Sequence, residues 1–367
     1  MLLAYLCVSR PRCILESPES RYKEADEGIG RDEDYLSTIM DTIDGVVANA
    51  GITGFMPSFL RPLVGPIACW STRGRLSKLE AKYHNIFHER IKHMNSNVDD
   101  DSKDPVDLLQ KMLRYAQKKR PEELAADQMT RRLLMANLGF IYQASFATSN
   151  LLMNILASDA DHNTIAVLRR EAETFLSEAE HDPATLWTRQ NIARMVHADS
   201  VARETLRLNT VPTRAIVRKV MVDGVKTDTG MPLPKGSLVS FVSQPMHTDA
   251  EHFNNPDSFD PFRFVRLRKE EEEAKTTTSN PDAGGNWSPH SFLSTANLLI
   301  FGRGRNSCPG RFLIDFQLKM LISYLLTNYD IKFPDEYQNK RPANRWLLEF
   351  IFPAKGVKFQ IKRRQGV

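Results

Sequence analysis

The stretch from Leu133 to Leu156 is apolar on nearly every side, inside a helix that the pattern predicts from about Ala125 to Ala157. A helix with one apolar stripe lies on a surface, whereas one that is apolar all round must be enclosed by other elements. That demands a large helical domain, and a chain of 367 residues can supply one. The rest of the pattern agrees. Helices are predicted over 31–50, over 73–96 with mixed charges, and over 106–120 behind Pro105, with Leu108, Leu109, Met112 and Leu113 on one face. Further helical patterns fall at about 160–180 and 189–208.

The texture then changes. Thr213 to Val242 carries β-branched runs separated by Asp223-Gly224, Thr229-Gly230 and Pro234-Lys235-Gly236, which reads as short strands or hairpins. Residues 243–266 read as a packed coil, and Lys269 to Gly285 as a solvated insertion loop. After Cys308, Leu313, Phe316, Met320 and Tyr324 predict one face of a core helix, and strand texture returns at Trp346–Phe352 and Val357–Ile361. The expected fold class is therefore mainly α with a small β part.

Composition excludes several classes. Hydrophobic residues at 41% and charged residues at 26% are those of a soluble globular chain rather than a disordered one. A net charge of +4, with no basic run interleaved with aromatics, argues against nucleic acid, though it is compatible with a basic face for an acidic protein partner. The four cysteines, Cys7, Cys13, Cys69 and Cys308, show no C-x-x-C spacing, so neither a zinc motif nor a disulfide framework is expected. No stretch reaches the ~18 uninterrupted apolar residues of a membrane span. Ile52 to Trp70 is apolar but broken by Pro57, Pro62 and Pro66, and is expected to form an irregular loop. Such a loop either touches a membrane surface or packs on its own domain.

The chemistry concentrates at Phe301-Gly302-Arg303-Gly304-Arg305-Asn306-Ser307-Cys308-Pro309-Gly310-Arg311-Phe312. One cysteine stands among glycines and arginines just before a helix. A helix N-terminus and nearby cations favour a thiolate. Glycines let a backbone approach a ligand closely, so they clear space around the sulfur instead of adding ligands. A large flat cofactor fits, and the loop reads as a site for thiolate-ligated haem iron. Three more features accompany it. Glu204 and Arg207 share a helix face; Arg263 stands alone among Phe259, Pro261, Phe262 and Phe264 and needs a carboxylate such as Glu204; Ser145, Thr148 and Ser149 place hydroxyls in the most apolar helix. Such a hydroxyl can also be bonded back to its own preceding turn, which needs no function.

Together these residues resemble the cytochrome P-450 family of haem-thiolate monooxygenases. The Cys308 loop matches F-x-x-G-x-x-x-C-x-G, Glu204 and Arg207 match E-x-x-R, Arg263 matches P-x-R-F, and Ala144 to Ser149 match the oxygen-activating turn of the central helix. The resemblance covers roughly residues 75–365 and is closest in flavour to fungal enzymes of terpenoid and other secondary metabolism. It implies the cytochrome P-450 fold and a haem b cofactor with Cys308 as the proximal iron ligand. Phe301, Gly302, Gly304 and Gly310 would lie against the porphyrin, Arg218 would reach a propionate, and Glu204, Arg207 and Arg263 would form a buried charge network. Thr148 would help deliver protons. The implied partners are an NADPH-cytochrome P-450 reductase, docking near Cys308, and an apolar small-molecule substrate. Its pocket would be lined by Phe140 to Thr148 and Val211 to Ile216. The implied location is the cytosolic side of the endoplasmic reticulum, with a peripheral membrane contact.

The sequence also departs from the family pattern. Asn306 replaces a frequent propionate partner, Ala147 a frequent acid and Ser145 a glycine; Trp70 and Arg73 are too close and too early to be the tryptophan–arginine pair that usually reaches the other propionate. The N-terminal sheet and membrane anchor of the family are not found. The expectation is a fold incomplete at its N-terminus, with 1–70 as remnant helices and an apolar loop, and 71–367 as a single catalytic core. Two rival readings remain, a haem-thiolate isomerase or dehydratase and a non-catalytic fragment.

Overall fold

The computed structural model describes residues 33–96, 104, 107–178, 187–210, 213–277, 298–347 and 349–365, and helices carry most of them. Cys7, Cys13 and residues 278–285 of the expected insertion loop lie outside the described residues. The chain divides into two compact units, Met1–Ser145 and Phe146–Val367.

The first unit contains α1 (Glu33–Phe55), α2 (Arg61–Ala68), α3 (Trp70–Ser96), α4 (Leu108–Lys119) and α5 (Ala126–Asn137). Leu79, Tyr83, Phe87 and Met94 repeat at helical spacing and form the buried stripe of α3; Ile39 and Ile43 do the same for α1. Helix α4 begins at Leu108, where Asp107 in extended conformation accepts a bond from the Gln110 amide at 2.7 Å. That cap satisfies one of the free amides of the first turn. Two expectations change here. The proline-broken segment after Ile52 is largely helical: α1 runs to Phe55, a turn holding Pro57 follows, Pro62 sits in the first turn of α2, where its missing N–H costs no bond, and Pro66 lies inside α2. Four of its apolar side chains, Phe59, Leu63, Ile67 and Trp70, are 75%, 68%, 74% and 78% exposed, while Leu60 and Val64 are half-buried.

The long central helix is not uniform. After α5, Leu138–Tyr142 forms a single π turn, and α6 (Gln143–His162) continues the chain. One extra residue in the turn rotates everything after it relative to an uninterrupted α pattern. Most of α6 from Leu151 to Leu156 is buried, as its all-round apolarity requires.

The second unit also holds α7 (Thr164–Ser177), α8 (Arg189–Ile192), α9 (Val196–Leu208), α10 (Ser243–His247), α11 (Arg263–Thr277) and α12 (Arg311–Asn328). The helix expected over 189–208 is thus broken between Ile192 and Val196. Glu171 of α7 accepts from the His197 and Ala198 amides at 2.8 Å each, giving α9 its own cap. Residues 269–277, expected as loop, extend α11. Helix α12 packs on α7 and α9, and its buried face is not the expected one. Leu318, Ile322, Leu325 and Leu326 are buried while Leu313 is 41% exposed. The four large residues chosen from the sequence lie on the flank of the real stripe.

Three two-stranded antiparallel sheets complete the described residues. Strand β1 (Ala215–Lys219) pairs with β2 (Leu238–Phe241), with a bulge between Ala215 and Arg218; β3 (Tyr329–Lys332) pairs with β6 (Gln360–Arg363); β4 (Arg345–Leu347) pairs with β5 (Phe350–Phe352).

Candidate functional site

Helix α9 brings Glu204 and Arg207 to the same face, one turn apart, and both are fully buried. Arg207 binds Glu204 with two parallel bonds, Nε to Oε2 at 2.8 Å and Nη2 to Oε1 at 2.7 Å. Arg263, the first residue of α11, donates from Nε to the same Oε1 at 3.1 Å. One carboxylate thus faces two guanidinium groups, and the surplus positive charge is met by carbonyl oxygens. Arg207 donates to the carbonyls of His247 at 2.5 Å and Pro256 at 2.7 Å, and Arg263 to those of Asn254, Asn255 and Ser258. This is how residues 243–266 stay packed with little regular structure: their backbone acceptors are used up by two buried arginines. Arg207 also lies over the Phe253 ring, 4.9 Å from its centroid.

The cysteine loop is shaped by its backbone. Gly302 and Gly304 have φ of +68° and +71°, a region that costs an L side chain ~1–2 kcal/mol. The turn closes with Gly302 N–H donating to Leu299 O at 3.1 Å and Cys308 N–H to Phe301 O at 2.8 Å. A short 3-10 turn, Gly304–Asn306, follows. Cys308 is exposed, as are Arg303, Arg305 and Asn306. A Cβ added at Gly310 would stand 3.7 Å from the Cys308 sulfur, so glycine keeps that side of the sulfur open. Arg311, opening α12, donates from Nη1 to the Cys308 carbonyl at 2.8 Å. Beside the loop, Ile216 sits at the β1 bulge with φ of +54°, and its Cγ1 lies 3.9 Å from where a Gly302 Cβ would be. A β-branched residue in that region is strained and is held there by its surroundings.

Two further clusters hold this loop to α9, and the motifs do not contain them. Upstream, His247 is fully buried. Its Nε2 accepts from the Leu299 amide at 2.8 Å, its Nδ1 lies 3.1 Å from Thr210 Oγ1, and its carbonyl takes Arg207. Burial pushes its pKa down to about 4, so the ring is neutral at pH 7 and can accept from Leu299. Downstream, Lys319 of α12 is fully buried, with Nζ 3.0 Å from Asp315, 3.2 Å from Asp199 and 3.0 Å from the Ile192 carbonyl. Arg203 pairs with Asp199 at 2.8 Å. The Asp199–Arg203 and Asp315–Lys319 spacings, one helical turn each, were visible in the sequence, but nothing there marks them as buried. His247 lay in a segment without periodicity and had no motif to expose it.

The other expected site residues are placed as follows. Thr148, on α6, is 1% exposed, and Ser145 donates back to the Ile141 carbonyl at 2.6 Å. Arg218 is exposed on β1 and donates to the Val217 carbonyl at 2.9 Å. Val211 lies outside the described residues.

A sequence model of the cytochrome P-450 family matches residues 26–361 of the chain. The chain belongs to the cytochrome P-450 family. It is 42% identical over 339 residues to cytochrome P-450 monooxygenase pbrC of Penicillium brasilianum and to astC of Aspergillus terreus, covering 91% of this chain and 61% of each relative. It is 38% identical to cytochrome P-450 monooxygenase tenB of Beauveria bassiana, with the same shares. The chain therefore spans about three-fifths of the length of these curated relatives. A cytochrome P-450 implies haem iron as its cofactor, and the Cys308 loop fits that group. It offers a single soft sulfur donor, exposed, on a glycine turn whose side near Gly304 has nothing within 4 Å of an added Cβ.

Proposed function

We propose that this cytochrome P-450 chain binds haem b through Cys308 and serves as a monooxygenase for an apolar small molecule of terpenoid or other secondary-metabolite class. The observation that carries this is the Cys308 loop: an exposed sulfur after two glycines at positive φ, pinned to α9 on both sides. Bound haem would supply oxygen activation with electrons from NADPH through a reductase. The rest is the protein's work. Phe301, Gly302, Gly304 and Gly310 would leave a flat face open beside the sulfur, and backbone amides after Cys308 would tune it. Arg218, exposed on β1 and, among the described residues, bonded to its neighbour's carbonyl, would turn to a propionate. Glu204, Arg207 and Arg263 would keep the 254–263 segment rigid beneath the cofactor. Thr148 would hold and pass a proton at its Oγ1 on the substrate side.

Arg303 and Arg305, both exposed on the loop, would meet an acidic reductase surface. The exposed apolar row Phe59, Leu63, Ile67 and Trp70 supports a peripheral contact with a membrane surface, at the cytosolic side of the endoplasmic reticulum. No described helix is long and apolar enough to cross a membrane. The test is turnover with reductase, NADPH and a panel of terpenoids under labelled dioxygen. A product heavier by one labelled oxygen supports the reading. An isomerised or dehydrated product formed without NADPH consumption overturns it in favour of a haem-thiolate isomerase or dehydratase.

A further inference from the structure

Arg341, in the loop before β4, is a further, half-buried arginine, and among the described residues no carboxylate pairs with it. Its Nη2 donates to Asn150 Oδ1 at 2.7 Å, Asn344 Oδ1 at 2.8 Å and Asn209 Oδ1 at 3.0 Å; Nη1 donates to the Pro342 carbonyl at 3.1 Å. Its Nε is buried with no partner among the described residues, and burial lowers its pKa. Asn154, one turn beyond Asn150 on α6, extends the cluster to Thr205 of α9 at 3.1 Å and to Asn209 at 3.4 Å. A guanidinium stays charged in such a place, so the three amide oxygens share the two N–H groups of Nη2 in charge-assisted bonds. Amide oxygens do this without putting a carboxylate on α6 two residues from Thr148.

The same hairpin touches α6 at a second point. Phe352 of β5 packs edge-on against Phe146, with ring centroids 5.4 Å apart and planes at 82°. Its far end is tied to the segment after α9, where Thr213 N–H and Oγ1 donate to the Glu349 carbonyl at 2.9 and 3.0 Å. Phe146 and Asn150 bracket Thr148 on the helix, and both are held from the β4–β5 side.

We infer that Arg341 is the positioning residue that fixes the α6 turn from Phe146 to Asn150, and Thr148 with it, against the β4–β5 hairpin. The inference rests on the haem reading for Thr148's role, while the placement itself does not. It is tested in the full chain with Arg341→Met, using two probes of haem iron, imidazole and the bulkier 4-phenylimidazole, and amide hydrogen exchange without haem. The expected result is 4-phenylimidazole binding weakened about tenfold, the worth of one charge-assisted bond, with imidazole binding and the thiolate carbon-monoxide band kept. Exchange at 146–150 and 350–352 should speed up about tenfold, with 298–308 unchanged. Unchanged 4-phenylimidazole affinity, or both probes weakened in parallel, overturns the inference. If the unsubstituted chain takes up no haem, the haem reading fails separately, and exchange decides: equal rates in both proteins at 146–150 overturn the placement.

Discussion

His247 gives the sharpest quantitative prediction, because its role depends on being neutral. In the unfolded chain its pKa is 6.5, and in the fold burial lowers it to about 4. Between those values the unfolded chain binds the extra proton and the folded chain does not, so stability falls as pH drops from above 6.5 towards 4. At 25 °C the difference of 2.5 units is about 3 kcal/mol, at 1.36 kcal/mol per unit. Above pH 7 the residue contributes no slope. Protonation would also turn Nε2 from acceptor to donor, facing the Leu299 amide and releasing the chain just before Phe301. Urea unfolding of the original chain and His247→Gln at pH 7.5 and pH 4.5 isolates the effect, since other titrating groups cancel between the two proteins. The substitution should cost about 1–3 kcal/mol at pH 7.5, from the stranded Leu299 amide or Thr210 hydroxyl. Acidification should then shrink or reverse that cost by about 3 kcal/mol. Identical acid sensitivity in both proteins would refute the argument.

Other consequences follow from the same geometry. Glu204→Ala strands two buried guanidinium groups and should cost about 3–5 kcal/mol in urea unfolding. Lys319→Ala should destabilise by a similar amount by leaving Asp199 and Asp315 facing each other, while the double substitution Asp315→Leu with Lys319→Leu should recover part of the loss. Gly302→Ala should cost about 1–2 kcal/mol from its positive φ alone, since its nearest neighbour, Ile216 Cγ1 at 3.9 Å, is an ordinary contact. Leu63→Asp with Ile67→Asp should abolish flotation with phospholipid vesicles and leave the melting temperature unchanged, because both side chains are exposed.

Much of this was legible in the sequence because it is local. Glycines around one cysteine, an acid and a base one turn apart, and all-round apolarity each state a backbone or burial requirement within a short window. The structure brings Glu204, Arg207 and Arg263 together. What stayed hidden depends on partners far along the chain. His247 gains its meaning from Leu299, 52 residues away, and Arg341 from Asn150, 191 away. Lys319 reads as a solvated charge until Asp199 arrives from another helix. On α12 the apolar residues are spread over so much of the helix that the pattern does not single out Leu318 and Ile322, which the fold buries, over Leu313, which it exposes. Of the prolines after Ile52, Pro57 lies in the turn that separates α1 from α2, whereas Pro62, in the first turn of α2, breaks nothing.

The central claim is that Cys308 is built to hold iron, and the reduced carbon-monoxide difference spectrum of haem-loaded protein tests it most directly. The chain as it stands should show a Soret band at the thiolate position, and Cys308→Ser should lose it while the haem-free proteins melt at the same temperature. A band at the same position in Cys308→Ser, or no haem uptake by the original chain, would contradict it.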